Sequence, residues 1–375
     1  MFYKNARIFT PDRGFCLGAF EVSKGVFGAV LPPEIPKRAI DLKGATVIPG
    51  LVDVHIHGAA GGDFSDGDPE MLQRMAAYLA KEGVTSFVPA SMTIPYENLA
   101  KAFAVGKAFH DHTPKNCARL VGIHMEGPFF SEKKKGAQNS AHLRLPDFTA
   151  FQKLYDSCDG LIRIVDIAPE LPGAADFTRQ VQKLCTVSVA HTNADYESTR
   201  QMFAAGATHL THLFNAMPAF HHREPGVIGA ACENPMVRAE LICDGLHVHP
   251  SAVRLAFAAF GANRIVMVSD ALHCCGMKDG EYIWGEQTIL LQDGVPRLAD
   301  GTIAGSATNL FDAMRKAIGM GIPEADAVRA ATYNPACAIN MGGRLGCITP
   351  GAKADFIICR PDYTVKRVFL NGKEI

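Results

Sequence analysis

Two histidines one residue apart end an apolar segment near the start of the chain. Residues 48–58 read Ile-Pro-Gly-Leu-Val-Asp-Val-His-Ile-His-Gly. Side chains on a strand alternate between its faces, so His55 and His57 point to the same side, close enough for both imidazoles to bind one cation. A His-x-His pair also occurs by chance on many surfaces, so other residues must decide whether it binds metal.

More polar residues end apolar segments farther along the chain. They are His124, Glu126, His191, His209, His212, Asp244, His247 and Asp270. Imidazole and carboxylate groups are ligands of Zn, Fe, Mn or Co, whereas a calcium site needs mostly oxygen atoms. These residue types therefore predict a transition-metal site.

Three of these residues are the best candidates for ligands of one ion. Glu126 lies in Gly-Ile-His-Met-Glu-Gly-Pro, and a buried glutamate needs a cation or a hydrogen-bond partner. His191 and His212 end neighbouring predicted strands and can reach the same ion, which leaves a position open for water, as in catalytic sites. His124 and His209 lie deeper in their strands or out of step, so we interpret them as packing or supporting histidines.

Asp270 ends the segment Arg-Ile-Val-Met-Val-Ser-Asp. A water molecule activated by a divalent ion needs a nearby base to take its proton and pass it to a leaving group. We predict this catalytic role for Asp270. The alternative is a structural role as the N-cap of a helix.

Eight apolar segments carry these residues, and helical patterns or turn signals separate them. The predicted strands are residues 46–57, 84–90, 119–126, 162–168, 186–191, 208–212, 239–244 and 265–270. The predicted helices are residues 69–82, 95–110, 147–157, 174–184, 195–205 and 250–260. This alternation predicts an α/β fold with a TIM-like (β/α)8 barrel, in which the strand ends converge on one mouth. A doubly wound open sheet is the alternative, but no Gly-x-Gly-x-x-Gly turn follows the first strand.

Both ends of the chain have a different pattern. Residues 1–45 and 343–375 contain short alternating segments with turn signals, including a hairpin signal at Asn371-Gly372. We predict that they pair as a small β-sandwich domain beside a catalytic barrel domain of residues 46–342. The alternative is a terminal strand that only caps the barrel.

Composition indicates the cellular compartment and the kinds of binding partner to expect. The formal net charge is −1 with 20% charged residues, which gives no reason to expect a nucleic acid partner. The 11 cysteines are odd in number and include no Cys-x-x-Cys pair, so a disulfide framework is not indicated. The sequence also has no secretory signal pattern and no apolar stretch approaching ~18 residues. We expect a cytoplasmic protein without a membrane partner.

Ten motifs together resemble a known family. They are residues 49–58, 124–128, 134–136, 168–170, 190–193, 211–218, 223–226, 244–247, 269–271 and 304–306. In order and spacing they are similar to the amidohydrolase superfamily and, more closely, to N-acetylglucosamine-6-phosphate deacetylases. The resemblance covers the predicted barrel, and the chain ends fit the family's β-sandwich. It implies hydrolysis of N-acetylglucosamine 6-phosphate to glucosamine 6-phosphate and acetate.

The resemblance also implies roles for individual residues. Glu126, His191 and His212 match the principal metal ligands, Asp270 matches the general acid/base, and His55 and His57 match ligands of a second ion. The implied metal is one or two divalent ions per subunit, with Zn favoured over Fe, Mn, Co or Ni. The residues implied in substrate binding are Ala137, Gln138, Asn215, Ala216, Ile303, Ala304 and Gly305 for the sugar, and Arg223 and His247 for the phosphate. Part of the phosphate contact comes from a neighbouring subunit in this family, which implies a homodimer.

Two departures and three alternatives remain open in the sequence. Gln138 stands where some members have a histidine that helps to polarise the carbonyl, and Cys274-Cys275 follows Asp270 where other members differ. N-acetylgalactosamine 6-phosphate or an N-acyl amino acid are alternative substrates. A sugar-phosphate sensor without catalysis is the alternative from another class of protein, although no expected catalytic residue is missing.

Overall fold

Five strands lie near the N-terminus among the described residues, and the first two alternate in part between buried and more exposed side chains. The structure is a computed structural model that describes residues 1–32, 34–284 and 287–375. The strands are β1 (Phe2–Thr10), β2 (Gly14–Ser23), β3 (Val26–Val30), β4 (Ile40–Asp41) and β5 (Thr46–Pro49). Aromatic and β-branched residues at alternate positions fit a sheet with one face on a core.

The next strands are almost continuously buried, as expected for parallel strands covered on both faces. They are β6 (Leu51–Ile56), β7 (Gly58–Ala59), β8 (Gly62–Asp63), β9 (Val84–Pro89), β10 (Arg119–Leu120), β11 (Ile123–Met125), β12 (Ile162–Ile167), β13 (Thr186–Val189), β14 (His209–Leu210), β15 (Arg238–Ile242) and β16 (Ile265–Val268). Each of the eight segments predicted as strands contains at least one of them. The short pair β7 and β8 is antiparallel.

In the part of the chain that the structure describes, ten α-helices connect or follow these strands. They are α1 (Pro69–Lys81), α2 (Tyr96–Asp111), α3 (Phe148–Ser157), α4 (Ala174–Val181), α5 (Tyr196–Ala205), α6 (Gly226–Glu233), α7 (Pro250–Phe260), α8 (Leu310–Gly319), α9 (Glu324–Ala331) and α10 (Tyr333–Ala338). The start of α1 shows why the sequence signals worked, because Asp68 caps the helix and Pro69 occupies its first position. Within the described residues, no helix is long and apolar enough to cross a bilayer.

The last strands belong to two antiparallel arrangements. They are β17 (Gly280–Trp284), β18 (Gln287–Gln292), β19 (Val295–Arg297), β20 (Phe356–Cys359), β21 (Val365–Leu370) and β22 (Lys373–Glu374). Strands β17–β19 form a separate three-stranded sheet, which we call the flap sheet. Sequence reasoning did not predict it.

The parallel strands form two sheets in the orders β10-β9-β6 and β11-β12-β13-β14-β15-β16. A parallel bridge between Ala90 and His124 joins β9 to β11 at one border. At the other border, the backbone N–H of Asp270 donates to the carbonyl oxygen of His55 at 2.9 Å. These connections bring the first and last parallel strands next to each other, and the helices cover the outside.

Strands from both ends of the chain form one eight-stranded sheet in the order β22-β21-β20-β5-β1-β2-β3, with β4 also paired to β1. The Asn371-Gly372 hairpin joins β21 and β22. Aromatic side chains fill the core of this sheet, and the rings of Phe356 and Phe369 stack with centroids 4.2 Å apart. The packing ties the chain ends to each other beside the parallel strands.

Candidate metal centre

Six of the predicted site residues meet in one buried cluster. Each lies at or just after the carboxyl end of a parallel strand, where the next loop begins. His55 lies near the end of β6 and His57 follows it, Glu126 follows β11, His191 and His212 follow β13 and β14, and Asp270 follows β16. All six side chains are buried. Convergence of strand ends on one face explains why residues 215 positions apart along the chain become neighbours.

Glu126 is at the centre of one group of ligand atoms. Its Oε1 atom is 3.1 Å from Nε2 of His191 and 3.4 Å from Nε2 of His212. The two imidazole nitrogens are 3.0 Å from each other. Three donor atoms that all point at one another in this way fit the arrangement of ligands around a single ion.

The His-x-His pair faces the same glutamate from another side. Nε2 of His57 is 3.3 Å from Oε2 of Glu126 and 3.3 Å from Oδ1 of Asp270. Nε2 of His55 is 3.6 Å from Oε1 of Glu126 and 3.5 Å from Oδ1 of Asp270. Glu126 therefore stands between two groups of histidines, and either group could hold a metal ion.

Three of these residues have an unusual backbone conformation. The φ angles are 43° at His191, 31° at His212 and 46° at Asp270, in the left-handed region that residues with a Cβ atom seldom adopt. Each such residue costs about 1–3 kcal/mol, which the surrounding structure must offset. The conformation turns the chain sharply at the strand end and directs the side chain into the cluster.

Electrostatic attraction between the carboxylates and the imidazoles shifts the pKa values in the cluster. Burial alone would raise the pKa of Glu126, but hydrogen bonds from His191, His212 and His57 hold that pKa well below its usual range. Burial would lower the pKa of His212, yet the hydrogen bond with Glu126 raises it to about 9. For Asp270, the charges of His55 and His57 outweigh burial and lower the pKa. Both carboxylates are thus held ionised, as metal ligands and a general base must be.

The donor set fits a transition metal. Nε2 of His55 is buried and, among the described residues, has no hydrogen-bond partner. A buried polar atom without a partner is costly, and coordination of an ion at this point would remove the cost. Four imidazoles with two carboxylates suit Zn and its neighbours better than Ca or Mg.

Glu240 hydrogen-bonds to two members of the cluster, His55 and His212, and sequence reasoning missed it. Its Oε2 atom is 2.8 Å from Nδ1 of His55 and accepts the backbone N–H of His212 at 3.2 Å. Its Oε1 atom is 3.1 Å from Nε2 of His209. Hydrogen bonds of this kind fix the orientation of metal-binding imidazoles. The available signal was an acidic residue inside an otherwise apolar strand, in Arg-Ala-Glu-Leu-Ile.

His124 also contacts a carboxylate that the sequence did not single out. Its Nε2 atom is 3.0 Å from Oδ1 of Asp166, which also accepts a hydrogen bond from Thr211 at 2.9 Å. Nδ1 of His124 is 3.0 Å from the carbonyl oxygen of Val54. His124 and His209 are therefore hydrogen-bonded below the cluster, in agreement with the supporting role expected for them.

The residues expected to hold the sugar lie around the cluster on several loops. The backbone N–H of Ser306 donates to the carbonyl oxygen of Asp270 at 2.7 Å, which places the segment from Ile303 through Ala304 to Gly305 beside Asp270. A side chain at Gly305 would come within 2.7 Å of that same oxygen. The amide of Asn215 bonds the carbonyl oxygen of His212, and the neighbouring Ala216 accepts from Thr192. Ala137 precedes Gln138 and accepts a hydrogen bond from Gln287 of the flap sheet.

The two residues expected to bind phosphate differ in their positions. His247 is paired with Asp244 at 2.7 Å, and the charges of Asp270 and His212 act on its pKa, so it lies near the cluster. Arg223 is exposed and contacts the ring of His222 at 2.8 Å. No contact within this single chain brings Arg223 to the cluster among the described residues.

A buried histidine and carboxylate cluster at the ends of parallel strands defines the metal-dependent amidohydrolase class of site. The family model described as amidohydrolase family matches residues 46–375, and the chain belongs to this family.

Individual relatives are more specific. The chain is 36% identical over 332 residues to the N-acetylglucosamine-6-phosphate deacetylase of Bacillus subtilis (strain 168), covering 88% of this chain and 84% of the relative. It is 32% identical to the N-acetylgalactosamine-6-phosphate deacetylase of Escherichia coli O157:H7, covering 94% and 93% of the two chains. A variant of the Mycobacterium smegmatis N-acetyl-D-glucosamine-6-phosphate deacetylase, solved with N-acetyl-D-glucosamine-6-phosphate, matches with a TM-score of 0.94 and 33% identity, covering 100% and 98%.

Proposed function

We propose that the protein hydrolyses the N-acetyl group of N-acetylglucosamine 6-phosphate and releases glucosamine 6-phosphate and acetate. The observation that carries this proposal is the cluster around Glu126, in which His191, His212 and Asp270 meet at one buried point. The similarity to deacetylases of this substrate along nearly the whole chain supports it.

The proposed framework is a complete (β/α)8 barrel of residues 46–342 with a small β-sandwich of residues 1–45 and 343–375. Two connections support closure of the barrel, the bridge from Ala90 to His124 and the hydrogen bond from Asp270 to His55. The shared sheet of the two chain ends supports the second domain. The family match begins at residue 46.

Glu126, His191 and His212 would hold one divalent ion, with Zn as the preferred candidate and Fe, Mn, Co or Ni as alternatives. His55 and His57 would hold a second ion together with Glu126. When bound, such an ion lowers the pKa of water and polarises the amide carbonyl.

Asp270 then moves the proton. Its Oδ1 atom lies 3.3 Å from Nε2 of His57 and 3.5 Å from Nε2 of His55, and as a carboxylate it can accept the proton of the attacking water. The same carboxyl group returns this proton to the sugar nitrogen as the carbon–nitrogen bond breaks. The hydrogen bond between the backbones of Ser306 and Asp270 fixes the residue during both steps.

Loops around the cluster would bind the sugar phosphate. Asn215, Ala216, Ala137 and the segment from Ile303 through Ala304 to Gly305 would contact the sugar, and Gln138 can donate a hydrogen bond to the substrate carbonyl. His247 would contact the phosphate within the same chain. The exposed position of Arg223 supports a homodimer in which this arginine reaches the phosphate bound by the other subunit.

N-acetylgalactosamine 6-phosphate is the second candidate substrate, and the similarity to the Escherichia coli O157:H7 deacetylase favours it. The two sugars are epimers that differ in the orientation of one hydroxyl group. The eleven cysteines, all unpaired, support a reducing compartment such as the cytoplasm.

Acetate release from both epimers by the metal-loaded protein, measured alongside elemental analysis, tests the proposal. We expect rapid turnover of N-acetylglucosamine 6-phosphate and weak turnover of N-acetylglucosamine without phosphate. Absence of acetate release from either phosphorylated sugar would refute a deacetylase. Preference for the galactosamine epimer would select the second candidate.

A further inference from the structure

A cavity of about 390 Å³ opens beside the metal cluster and has no role in the site described above. Its apolar wall consists of Met92, Ile94, Pro95 and the indole of Trp284. Met92 and Trp284 also belong to one packed apolar group, so the wall is continuous. The volume falls within the range of about 300–1,000 Å³ that is usual for small-molecule sites.

One layer of side chains separates the cavity from Glu126 and His57 of the cluster. Thr93 lines it, and the backbone N–H of Thr93 donates to Oε1 of Gln138 at 2.8 Å. Gln138 in turn donates to Glu126 at 2.7 Å. On the other side, the ring of Trp284 lies 6.1 Å from the ring of His57.

Its position in the fold points to one end of the substrate. The cavity residues lie on the segments that follow β6, β9 and β11, on the first turns of α2 and on the flap sheet. Of the proposed substrate contacts, Ala137 and Gln138 lie on the cavity side, whereas the sugar contact Asn215 and the phosphate contact His247 follow β14 and β15 on other loops around the cluster. Because the scissile amide has the sugar on one side and the alkyl part of the acyl group on the other, the acyl group is directed toward the cavity.

The charges around the cavity exclude the phosphate as its occupant. Among the described residues, Asp63 and Asp66 line it on the acidic side, and Lys101 and His142 are the basic residues of the lining. Asp63 is fixed in place, since it accepts hydrogen bonds from the indole N–H of Trp284 at 2.8 Å and from the backbone of Ser65 at 2.7 Å. Two carboxylates repel an anion, so a neutral alkyl chain against the apolar wall suits the cavity better.

We propose that this cavity is an acyl subsite and that the enzyme hydrolyses N-acyl sugar phosphates whose acyl group is longer than acetyl. This inference rests on the proposed function. The reaction is the same hydrolysis: water supplies a hydroxyl group to the acyl carbon and a proton to the sugar nitrogen, and a longer carboxylic acid replaces acetate. Met92, Ile94 and Trp284 contribute the contact with the added methylene groups.

The test compares kcat/KM for N-butyrylglucosamine 6-phosphate with kcat/KM for N-acetylglucosamine 6-phosphate. We expect the butyryl value to lie within about tenfold of the acetyl value, whereas a closed pocket discriminates by roughly 10–200-fold for each methylene group. Ile94→Trp fills the cavity and should lower the butyryl-to-acetyl ratio at least tenfold. Ile283→Trp is the matched control, because Ile283 lies on the flap sheet, is 73% exposed and does not line the cavity.

Each outcome is decisive. Turnover of the acetyl substrate with a butyryl kcat/KM more than about tenfold below the acetyl value overturns the subsite, as does an unchanged ratio in Ile94→Trp. Failure to hydrolyse even the acetyl substrate refutes the proposed function instead. If Ile94→Trp does not fold, Asn98→Trp at an exposed position of the cavity lining provides the same measurement.

Discussion

The side-chain amide of Gln138 donates a hydrogen bond to Oε2 of Glu126 at 2.7 Å. The backbone N–H of Thr93 fixes the orientation of this amide by donating to its oxygen atom. Oε1 of Glu126 is thereby left to His191 and His212. A glutamine can perform this task without a charge.

Gln138→Leu removes this hydrogen bond, because an apolar side chain of similar size replaces the amide. We expect a loss of about 10–100-fold in metal affinity or activity, as is usual when a partner of a metal ligand is removed. Titration of metal content and kcat for acetate release measure the effect. Gln201→Leu is the matched control, because exposed Gln201 also donates to a glutamate, Glu197, far from the cluster. Equal activity of the two variants would contradict the role of Gln138.

Asp270→Asn retains the shape of the side chain but cannot accept a proton. We expect kcat to fall about 10²–10⁴-fold, the range for loss of a general acid/base. Metal bound through Glu126, His191 and His212 should remain, and elemental analysis checks this. Full activity of Asp270→Asn would show that another group transfers the proton.

Replacement of His55 by Gln and His57 by Asn separates the two groups of histidines. We expect metal content to fall toward one ion per chain while measurable activity remains, because the group of Glu126, His191 and His212 is intact. Elemental analysis of the purified double variant gives the count. Loss of all metal would show that the His-x-His pair is the primary site.

Glu240→Ala removes the carboxylate that bonds His55, His209 and the backbone of His212. Three buried donors then lose their partner, at a cost of about 1–3 kcal/mol for each neutral group left unsatisfied. We expect a lower midpoint of thermal unfolding together with reduced metal affinity. Unchanged values of both in calorimetry and metal titration would contradict an anchoring role for Glu240.

His247 gives the proposed phosphate site a pH dependence. Burial would lower the pKa of His247, but the Asp244 carboxylate at 2.7 Å outweighs burial and raises that pKa. Protonated His247 attracts phosphate, so KM should stay low below this raised pKa and rise as the pH increases through it. Asp244→Asn should move the rise of KM to lower pH. A KM profile that is the same in both proteins would exclude His247 as the phosphate contact.

The parallel strands and first helices could be predicted from sequence because their signals are local. The predicted helix over residues 250–260 matches α7, which begins at Pro250 and ends before Gly261. Helix α6 lacked such a signal, since glycines at residues 226 and 229 are typical of turns rather than helices. The flap sheet was missed because its strands lie between the eighth predicted strand and residue 343, where no further sheet was expected.

The meeting of the candidate site's side chains in one cluster was predictable because each one ends an apolar strand, whereas their role as metal ligands stays a prediction. The contacts of Glu240 and Asp166 were not predictable, because a buried acid inside a strand reveals its partners only when the strands are assembled. The cavity beside Trp284 could not be predicted from sequence either, since its walls come from segments far apart in the chain. A phosphate contact from Arg223 involves a second subunit and stays a prediction.

The left-handed backbone at His191, His212 and Asp270 limits how this enzyme can be engineered for heat resistance. Glycine at any of these positions would relax the main chain and raise the tolerance to heating, but it would delete a reactive side chain. The chain carries the energetically poorer residue at three positions in one small region. Stabilising substitutions should therefore be sought in the helices and the terminal sheet, where they raise stability without removing side chains that catalysis needs.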